Sequence, residues 1–202
     1  MTQADPFGTN QSAEPMRMTK YDWSRKVAQL RRAAASGDIA AIRDLGLTLR
    51  DGVQDRQGHS LVRRNSAYAV RLFRRAAGSG DGAAAGALGH AYHLGQGVRG
   101  NTALALKWYH RAVEQGETIA AANMATVHRD RGHLKLAHHW YLQAMKMDDG
   151  DAAVDVGYGY LYGIGVRRDL RSARRILRVA VRSTHITQSG PNGRSGASKI
   201  KR

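Results

Sequence analysis

The chain carries nine histidines, and one pair has a spacing that suits a metal ion. His90 and His93 lie three residues apart on a predicted helix, so both imidazoles could reach the same ion. The chain contains no cysteine, and no acidic residue lies nearby on the same helix face to complete a ligand set. The adjacent His138 and His139 point in different directions on a helix and do not chelate together. We therefore predict no metal site.

Aspartates cluster at Asp148, Asp149, Asp151 and Asp155, which gives a superficial likeness to a calcium-binding loop. The glycine and the final glutamate of such a loop are missing at the required spacing. Asp149 and Asp151 are better explained as helix N-cap residues. The sequence also lacks the motifs of serine hydrolases, nucleotide-binding loops and zinc proteases. It predicts a protein that is not an enzyme and that uses no cofactor.

Composition narrows the class of protein further. The chain has 202 residues, of which 42% are hydrophobic, and its formal net charge is +16. This is enough apolar material for a folded core, and the lack of cysteine excludes a disulfide scaffold. No stretch is long and apolar enough to span a membrane, and the polar N-terminal residues do not form a secretory signal. We expect a cytoplasmic protein.

Positive charge is concentrated in two parts of the chain. Residues 20–80 hold 13 Lys and Arg against 5 Asp and Glu, and residues 167–202 hold 11 against 1, whereas residues 81–166 hold 7 against 8. Arginines recur on helix faces in both basic parts, and together they form a predicted electrostatic patch of Arg71, Arg74, Arg75, Arg171, Arg174, Arg175, Arg178 and Arg182. Two interpretations stay open: the arginines solvate the ends of a helical stack, or they bind an acidic partner.

The chain repeats itself at intervals of 32 to 36 residues. Two stretches match position for position, namely Leu88-Gly89-x-x-Tyr92-x-x-Gly95-x-Gly97-Val98 and Val156-Gly157-x-x-Tyr160-x-x-Gly163-x-Gly165-Val166. The copy between them has lost its glycine turn, and an earlier copy carries an insertion near residues 54–65. The alanines that keep the register are Ala69, Ala105, Ala137 and Ala173, followed by Ala76, Ala112, Ala144 and Ala180. Such periods indicate stacked helical repeats.

Each repeat is interpreted as a pair of helices. Apolar spacing predicts helices over 22–36, 38–51, 66–79, 82–94, 102–115, 117–131, 134–147, 150–162 and 169–183, the first of which would cap the stack. Trp108 is expected to be a large buried side chain between neighbouring repeats. Residues 1–19 and 184–202 are polar and aperiodic, so we predict a disordered N-terminal segment and a basic disordered C-terminal tail around a folded unit at 20–183.

The segment LGHAYHLGQGV…NTALALKWYHRAVEQG resembles a Sel1-like repeat, a relative of the tetratricopeptide repeat, and VGYGYLYGIGVRRDLRSARRILRVAV is similar to it. The resemblance covers about residues 38–183. It implies an all-α protein, a right-handed α/α superhelix of about four helix-turn-helix repeats with an N-terminal capping helix. The family holds protein partners, commonly in bacteria, and has no common catalytic residues. Because the chain has no cysteine, it resembles the members of this family that lack disulfides.

The family resemblance also implies that the first helix of each repeat lines a concave face. The non-anchor positions of these helices form the predicted partner-binding surface, which consists of Leu47, Arg50, His90, His93, Thr126, Arg129, Tyr158 and Leu161. We expect a scaffold or adaptor that binds another protein or peptide, with the arginines favouring an acidic one. Alternatives that stay open are a passive solvated face, nucleic-acid binding through the basic C-terminal helix and tail, and an inhibitor or immunity-type protein for an acidic effector.

Overall fold

The computed structural model describes residues 19–188, with side chains up to Val181. The helices in this part of the chain are α1 (Lys20–Ala35), α2 (Ile39–Asp51), α3 (Ser66–Gly78), α4 (Gly82–Leu94), α5 (Thr102–Glu114), α6 (Thr118–Asp130), α7 (Leu134–Lys146), α8 (Gly150–Tyr162) and α9 (Leu170–Gln188). None of them is long and apolar enough to cross a membrane. The predicted tails lie outside the described residues, apart from Thr19 and the end of α9.

The predicted helices are all present, and their bounds differ from the prediction by one or two residues except at the end of α9. That helix runs to Gln188 instead of ending at 183. The helices pair as α2 with α3, α4 with α5, α6 with α7 and α8 with α9, which makes four repeats behind the capping helix α1. The all-α solenoid expected from the sequence is confirmed.

The two helices of each repeat lie on different sides of the solenoid. Helix α4 contacts both α2 and α6 across the repeats, while no two second helices in the described chain approach each other to the same extent. The helices α2, α4 and α6 therefore lie on the inside of the curvature, because a curved stack brings its inner elements closer together, and α8 is assigned to the same side by repeat register. We call α2, α4, α6 and α8 the inner helices, and α3, α5, α7 and α9 the outer helices.

Side-chain caps begin most of these helices. A carboxylate or amide oxygen accepts a hydrogen bond from the backbone N–H three residues on, at distances of 2.7–3.2 Å. The caps are Asp38, Asp81 and Asp149 on inner helices and Asn65, Asn101 and Asp169 on outer helices. In the third repeat, Glu117 and His133 stand at the corresponding positions and make no cap bond. The predicted N-cap role is confirmed for Asp149 and wrong for Asp151, which lies in the first turn of α8. The third repeat lacks both caps.

Within each repeat, the inner and outer helices cross at one small residue. An ideal Cβ at Gly89 would lie only 2.6 Å from the Tyr109 ring, so the lack of a side chain there lets the ring enter between the helices. The corresponding pairs in the other repeats are Gly46 with Phe73, Ala125 with Tyr141, and Gly157 with Leu177. The crossing is therefore a close fit of a large side chain against a glycine in three of the four repeats.

The buried aromatic residue of α5 is Tyr109, and the prediction for Trp108 is wrong. Tyr109 has no exposed surface, whereas Trp108 is half-buried at the edge of the core, with the Arg111 guanidinium 5.6 Å from its ring centroid. The two residues are neighbours on α5, and the glycine at 89 decides which of them enters the helix crossing. Burial also raises the pKa of the Tyr109 hydroxyl, which has no hydrogen-bond partner in the described chain.

This isolated hydroxyl leads to a stability prediction. We expect Tyr109→Phe to stabilise the protein by about 1 kcal/mol, because the buried hydroxyl is desolvated without a compensating hydrogen bond. The natural control is Tyr141→Phe, which removes a hydroxyl bonded to Arg129 and should cost about 0.5–1.5 kcal/mol. Urea unfolding of both variants measures the difference. A destabilising Tyr109→Phe change would show that the hydroxyl has a partner.

The insertion in the first repeat forms a short antiparallel hairpin of β1 (Val53–Gln54) and β2 (Ser60–Val62). Asp55 closes it by accepting hydrogen bonds from the backbone N–H groups of Gln57 and His59, both at 2.9 Å. The His59 ring lies 3.0 Å from the other carboxylate oxygen. The sequence predicted no strand here, because strands of two and three residues are too short to show an alternating pattern.

The Gly-x-Gly turns connect the inner and outer helices of the second and fourth repeats, and each also contacts the repeat before it. Gly97 and Gly165 have positive φ angles of 72° and 70°. A Cβ at Gly97 would overlap the backbone of Ser66 at the start of the preceding outer helix, and one at Gly165 would overlap Leu134 in the same way. Each turn therefore packs directly on the repeat before it. The third repeat, which has no such turn, lacks this contact with α5.

The hydrophobic core divides at the third repeat. A large cluster extends from Val27 to Val127, and a smaller one extends from Ala121 to Val156. The side chains of Val113 and Trp140 pack against both clusters. The third repeat is thus both the least regular repeat and the boundary between two blocks of packing.

Candidate binding site between the third and fourth repeats

The inner helices have thirteen residues each and align without gaps. The residues predicted to bind a partner occupy their ninth and twelfth positions. All eight are accessible to some degree: Arg129 and Tyr158 are exposed, and the others, half-buried, are Leu47, Arg50, His90, His93, Thr126 and Leu161. The structure does not join them into one surface of uniform chemistry.

The arginines on the inner helices are already paired within the chain. Arg50 donates two hydrogen bonds of 2.7 Å to the Asp51 carboxylate, which raises the pKa of Arg50. Arg43 bonds to Asp44 at 3.0 Å and to Asp81 at 2.9 Å. Their charges are largely neutralised, so the inner side in the first two repeats is a weak attractor for an acidic partner.

His90 and His93 on α4 have no third candidate metal ligand beside them in the described part of the chain. Burial lowers the pKa of His90, and its buried Nδ1 has no hydrogen-bond partner among the described residues. No group of three or more His, Asp or Glu side chains in the described part of the chain is placed to hold a metal ion.

Arg129 and Tyr158 come together in a groove between the third and fourth repeats. The groove has a volume of about 390 Å³ and is bounded by α6, α7, α8 and the turn that follows α8. Besides these two residues, it is lined by Leu134, Ala137, His138, Tyr141, Asp155, Gly159, Tyr162 and Ile164. Of the predicted surface, only this pair lines the groove.

Four of the ten residues that line the groove have exposed apolar side chains. Tyr158 is 45% exposed and Tyr162 is 68% exposed, and their ring centroids are 6.1 Å apart on successive turns of α8. Leu134 and Ile164 face the same groove and are also exposed. Apolar side chains gathered in one place on a surface are typical of an interaction site, and tyrosines are frequent binding hot spots.

A buried histidine lies beside this apolar wall. His138 is 7% exposed, and its Nε2 has no hydrogen-bond partner in the described chain. Its ring fits against Gly159, where a Cβ would overlap Nδ1, and it meets the Tyr160 ring edge-on at 5.0 Å. Burial lowers the pKa of His138, so the imidazole is neutral at pH 7.

Two opposite charges complete the groove. The Arg129 guanidinium donates a hydrogen bond of 2.9 Å to the Tyr141 hydroxyl and lies 3.5 Å from Asp130. The Asp155 carboxyl is at the exposed rim, where partial burial raises its pKa and the Arg129 cation acts in the opposite direction. The groove therefore offers a cation and an anion to a ligand that fills its apolar centre.

Sequence reasoning missed most of the groove, although some signals were present. Tyr162 lies four residues after Tyr158 on a predicted helix, which places both rings on one face. His138 occupies the position of Val70 and Leu106 in the preceding outer helices, so the repeat register marks it as a polar residue at a core position. The contribution of Asp155 depends on how two repeats are packed, and no local pattern predicts it.

The buried imidazole predicts a pH dependence of stability. Because its folded-state pKa lies below the unfolded value of about 6.5, the unfolded chain binds a proton that the folded chain resists, and stability falls as the pH drops below about 6.5. We expect His138→Leu to reduce the loss of unfolding free energy between about pH 7.5 and pH 5. The exposed His139→Gln is the control, and an equal effect of both variants would contradict the prediction.

The predicted arginine patch is exposed where its side chains are described. Arg71, Arg74 and Arg75 lie on α3, and the remaining described members, on α9, are Arg171, Arg174, Arg175 and Arg178. The side chain of Arg182 lies outside the described residues. Arg74 also donates a hydrogen bond of 2.8 Å to the Tyr92 hydroxyl.

Helix pairs joined by Gly-x-Gly turns that pack on the preceding pair define an α-solenoid repeat protein. The chain belongs to the Sel1 repeat family, whose model matches residues 40–81, 82–117, 120–149 and 150–185. The resemblance found in the sequence is thereby confirmed. Sel1 repeats generally form non-catalytic scaffolds for protein–protein interaction. No curated protein matches the chain.

Solved structures with the same fold include a protective antigen present in uropathogenic Escherichia coli strains. It is 25% identical with a TM-score of 0.68, over 78% of this chain and 33% of that one. A Sel1 repeat protein from Oxalobacter formigenes is 25% identical with a TM-score of 0.67, over 80% of this chain and 63% of that one. The chain thus spans less than two thirds of either protein. MamA, at 15% identity and a TM-score of 0.55 over 87% of this chain and 100% of that one, is similar in fold alone.

Proposed function

We propose that this protein is a non-enzymatic interaction module that binds a segment of another protein in the groove between the third and fourth repeats. The observation that carries the proposal is the collection of exposed apolar side chains on one groove, with Tyr158 and Tyr162 at its centre. A surface of this kind gains free energy when a partner covers it. The family's general use of these repeats for protein interaction supports the same function.

The groove favours a peptide segment with an aromatic or large aliphatic side chain. Its volume of about 390 Å³ accommodates one such side chain between the two tyrosines and Ile164. Arg129 and Asp155 would then face the polar groups next to the inserted residue, and the buried Nε2 of His138 would gain a partner. This arrangement supplies an apolar anchor with polar contacts around it, which is how hot spots are commonly built.

An acidic partner on the inner face stays a prediction, as do the cytoplasmic location and the role as an inhibitor of an acidic effector. Of these, the preference for an acidic partner gains little support from the inner helices, since their arginines are paired with aspartates. The groove selects for shape and apolar surface more than for net charge.

Selection from a random peptide library displayed on phage tests the proposal. Peptides that bind the full chain should share an aromatic or large aliphatic residue, and the double variant Tyr158→Ser, Tyr162→Ser should weaken their binding at least about tenfold. Ile119→Ser is the matched control, because Ile119 is 64% exposed on α6 and does not line the groove. If no selected peptide distinguishes the double variant from the wild type, the groove is not the binding site.

A further inference from the structure

Charge in this protein is sorted by side of the solenoid. The outer helices α3, α5, α7 and α9 contain 12 Lys and Arg and a single acidic residue, Glu114. The inner helices α2, α4, α6 and α8 contain 3 Lys and Arg against 5 Asp and Glu. Three of the 13 cations of residues 20–80 and five of the 11 cations of residues 167–202 belong to this basic side, and the near-neutral middle of the chain contributes the other four.

Three of these cations form a row that crosses the repeats. The sixth position of the outer helices holds Arg71, Lys107 and Arg175 in the first, second and fourth repeats and His139 in the third, and all four side chains are exposed. The neighbouring outward positions add Arg74, Arg75, Lys135, Arg171, Arg174 and Arg178, all of them exposed. We call this surface the outer basic face.

The outer basic face lacks the ion pairs found on the inner helices. Each arginine of the inner helices lies within salt-bridge distance of an aspartate. Among the described residues, no arginine or lysine of the outer helices lies within 4.0 Å of a carboxylate, because the outer helices hold almost no acid. A surface of cations that are not paired with carboxylates attracts a polyanion and raises its local concentration.

An aromatic hollow interrupts the cations at the second repeat. It has a volume of about 620 Å³ and is lined by Leu106, Lys107, Trp108, His110, Arg111 and Glu114 of α5 and by Met124 of α6. The His110 ring meets Trp140 of the next outer helix edge-on at 5.8 Å. A half-buried tryptophan among cations is a platform on which a nucleobase can stack, while the cations meet the phosphates on either side.

We propose that the outer basic face binds single-stranded nucleic acid, with phosphates along the row and a base on Trp108. The outer side of a curved stack is convex, so a flat anionic bilayer would meet the middle of the row and leave α3 and α9, where arginines are densest, away from its surface. A flexible single strand can follow the curve and reach both ends. This surface is independent of the groove on the inner side.

Fluorescence anisotropy with a labelled single strand of about 20 nucleotides tests the proposal on the full chain. The variant Arg71→Gln, Lys107→Gln, Arg175→Gln removes three cations from different outer helices. We expect it to weaken binding at least about tenfold and to flatten the slope of log K against log salt by about 2, as three lost phosphate contacts require. Trp108→Ala should weaken binding about tenfold with little change in that slope.

The matched control removes the same net charge elsewhere. Arg56, Arg99 and Arg131 are exposed cations of the hairpin and turns, and their replacement by Gln should change the affinity less than about threefold. Equal losses of affinity in both triple variants would overturn the proposal, since they would report net charge alone.

The proposal would also fail if the oligonucleotide does not bind at low salt, or if only substitutions in α9 change its affinity. Binding of anionic vesicles without binding of the oligonucleotide would contradict it as well. Tyr158→Ser, Tyr162→Ser should leave oligonucleotide binding unchanged, which keeps this test separate from that of the groove.

Discussion

Tyr109→Ala is expected to lower the free energy of unfolding by about 3–5 kcal/mol, the range for a large aromatic side chain removed from a packed core. Tyr109 has no exposed surface and fills the crossing of α4 and α5 against Gly89. Its loss leaves a cavity between the helices. The neighbouring Ala105 and Ala112 on the same helix are fully buried, and their methyl groups are too short to fill it. Urea unfolding followed by circular dichroism measures the change.

The neighbouring Trp108→Ala provides the control for this prediction. Trp108 is larger but only half-buried, so its removal should cost clearly less than the removal of Tyr109. A larger loss for Trp108→Ala would mean that the helix crossing is filled by the tryptophan and that α5 is rotated from the orientation described above. Because repeat arrays can unfold in parts, the unfolding curve should also be checked for a single transition.

The second large effect is expected at the turn between α4 and α5, inside the second repeat. We expect Gly97→Ala to destabilise the protein by about 3 kcal/mol, since the new Cβ meets both an unfavourable positive φ and the backbone at Ser66. Backbone atoms of a helix start cannot move aside as a flexible side chain can. The turn must shift away from α3, and the contact between the first and second repeats is lost with it.

Gly116→Ala separates the two causes. Gly116 has a similar positive φ of 84°, but nothing lies within 4 Å of the position where its Cβ would be. It should cost only the backbone strain, about 1–2 kcal/mol. Equal effects of the two substitutions, measured by thermal or urea unfolding, would show that the turn at Gly97 does not pack on the preceding helix.

The regular part of the fold was predictable because its signals are local. Alanine and glycine recur at the positions where helices of successive repeats pack, and capping residues precede most of the helices. The spacing of apolar residues gives the helix bounds to within one or two residues at nearly every end. The choice between Trp108 and Tyr109 was not local. Both belong to the apolar face of α5, and the rotation of that helix against Gly89 decides between them.

The binding site was predictable only in part. Arg129 and Tyr158 follow from repeat register, but the groove that joins them depends on how α7 lies between α6 and α8. The sorting of charge by side does not show in the linear sequence, where the excess of positive charge falls in two segments. Once the helices are assigned, a count over alternate helices shows it.

The contacts of the Gly-x-Gly turns make the two ends of the repeat array different, because each turn packs on the repeat before it. Each turn packs on the start of the outer helix of the preceding repeat, as Gly97 does on Ser66 and Gly165 on Leu134. A repeat added after α9 would bring its own turn and find a helix start ready to receive it, whereas one added before α2 would have to receive the hairpin between α2 and α3 in place of such a turn. Lengthening this protein by duplication, in nature or by design, is therefore physically simpler at its C-terminal side.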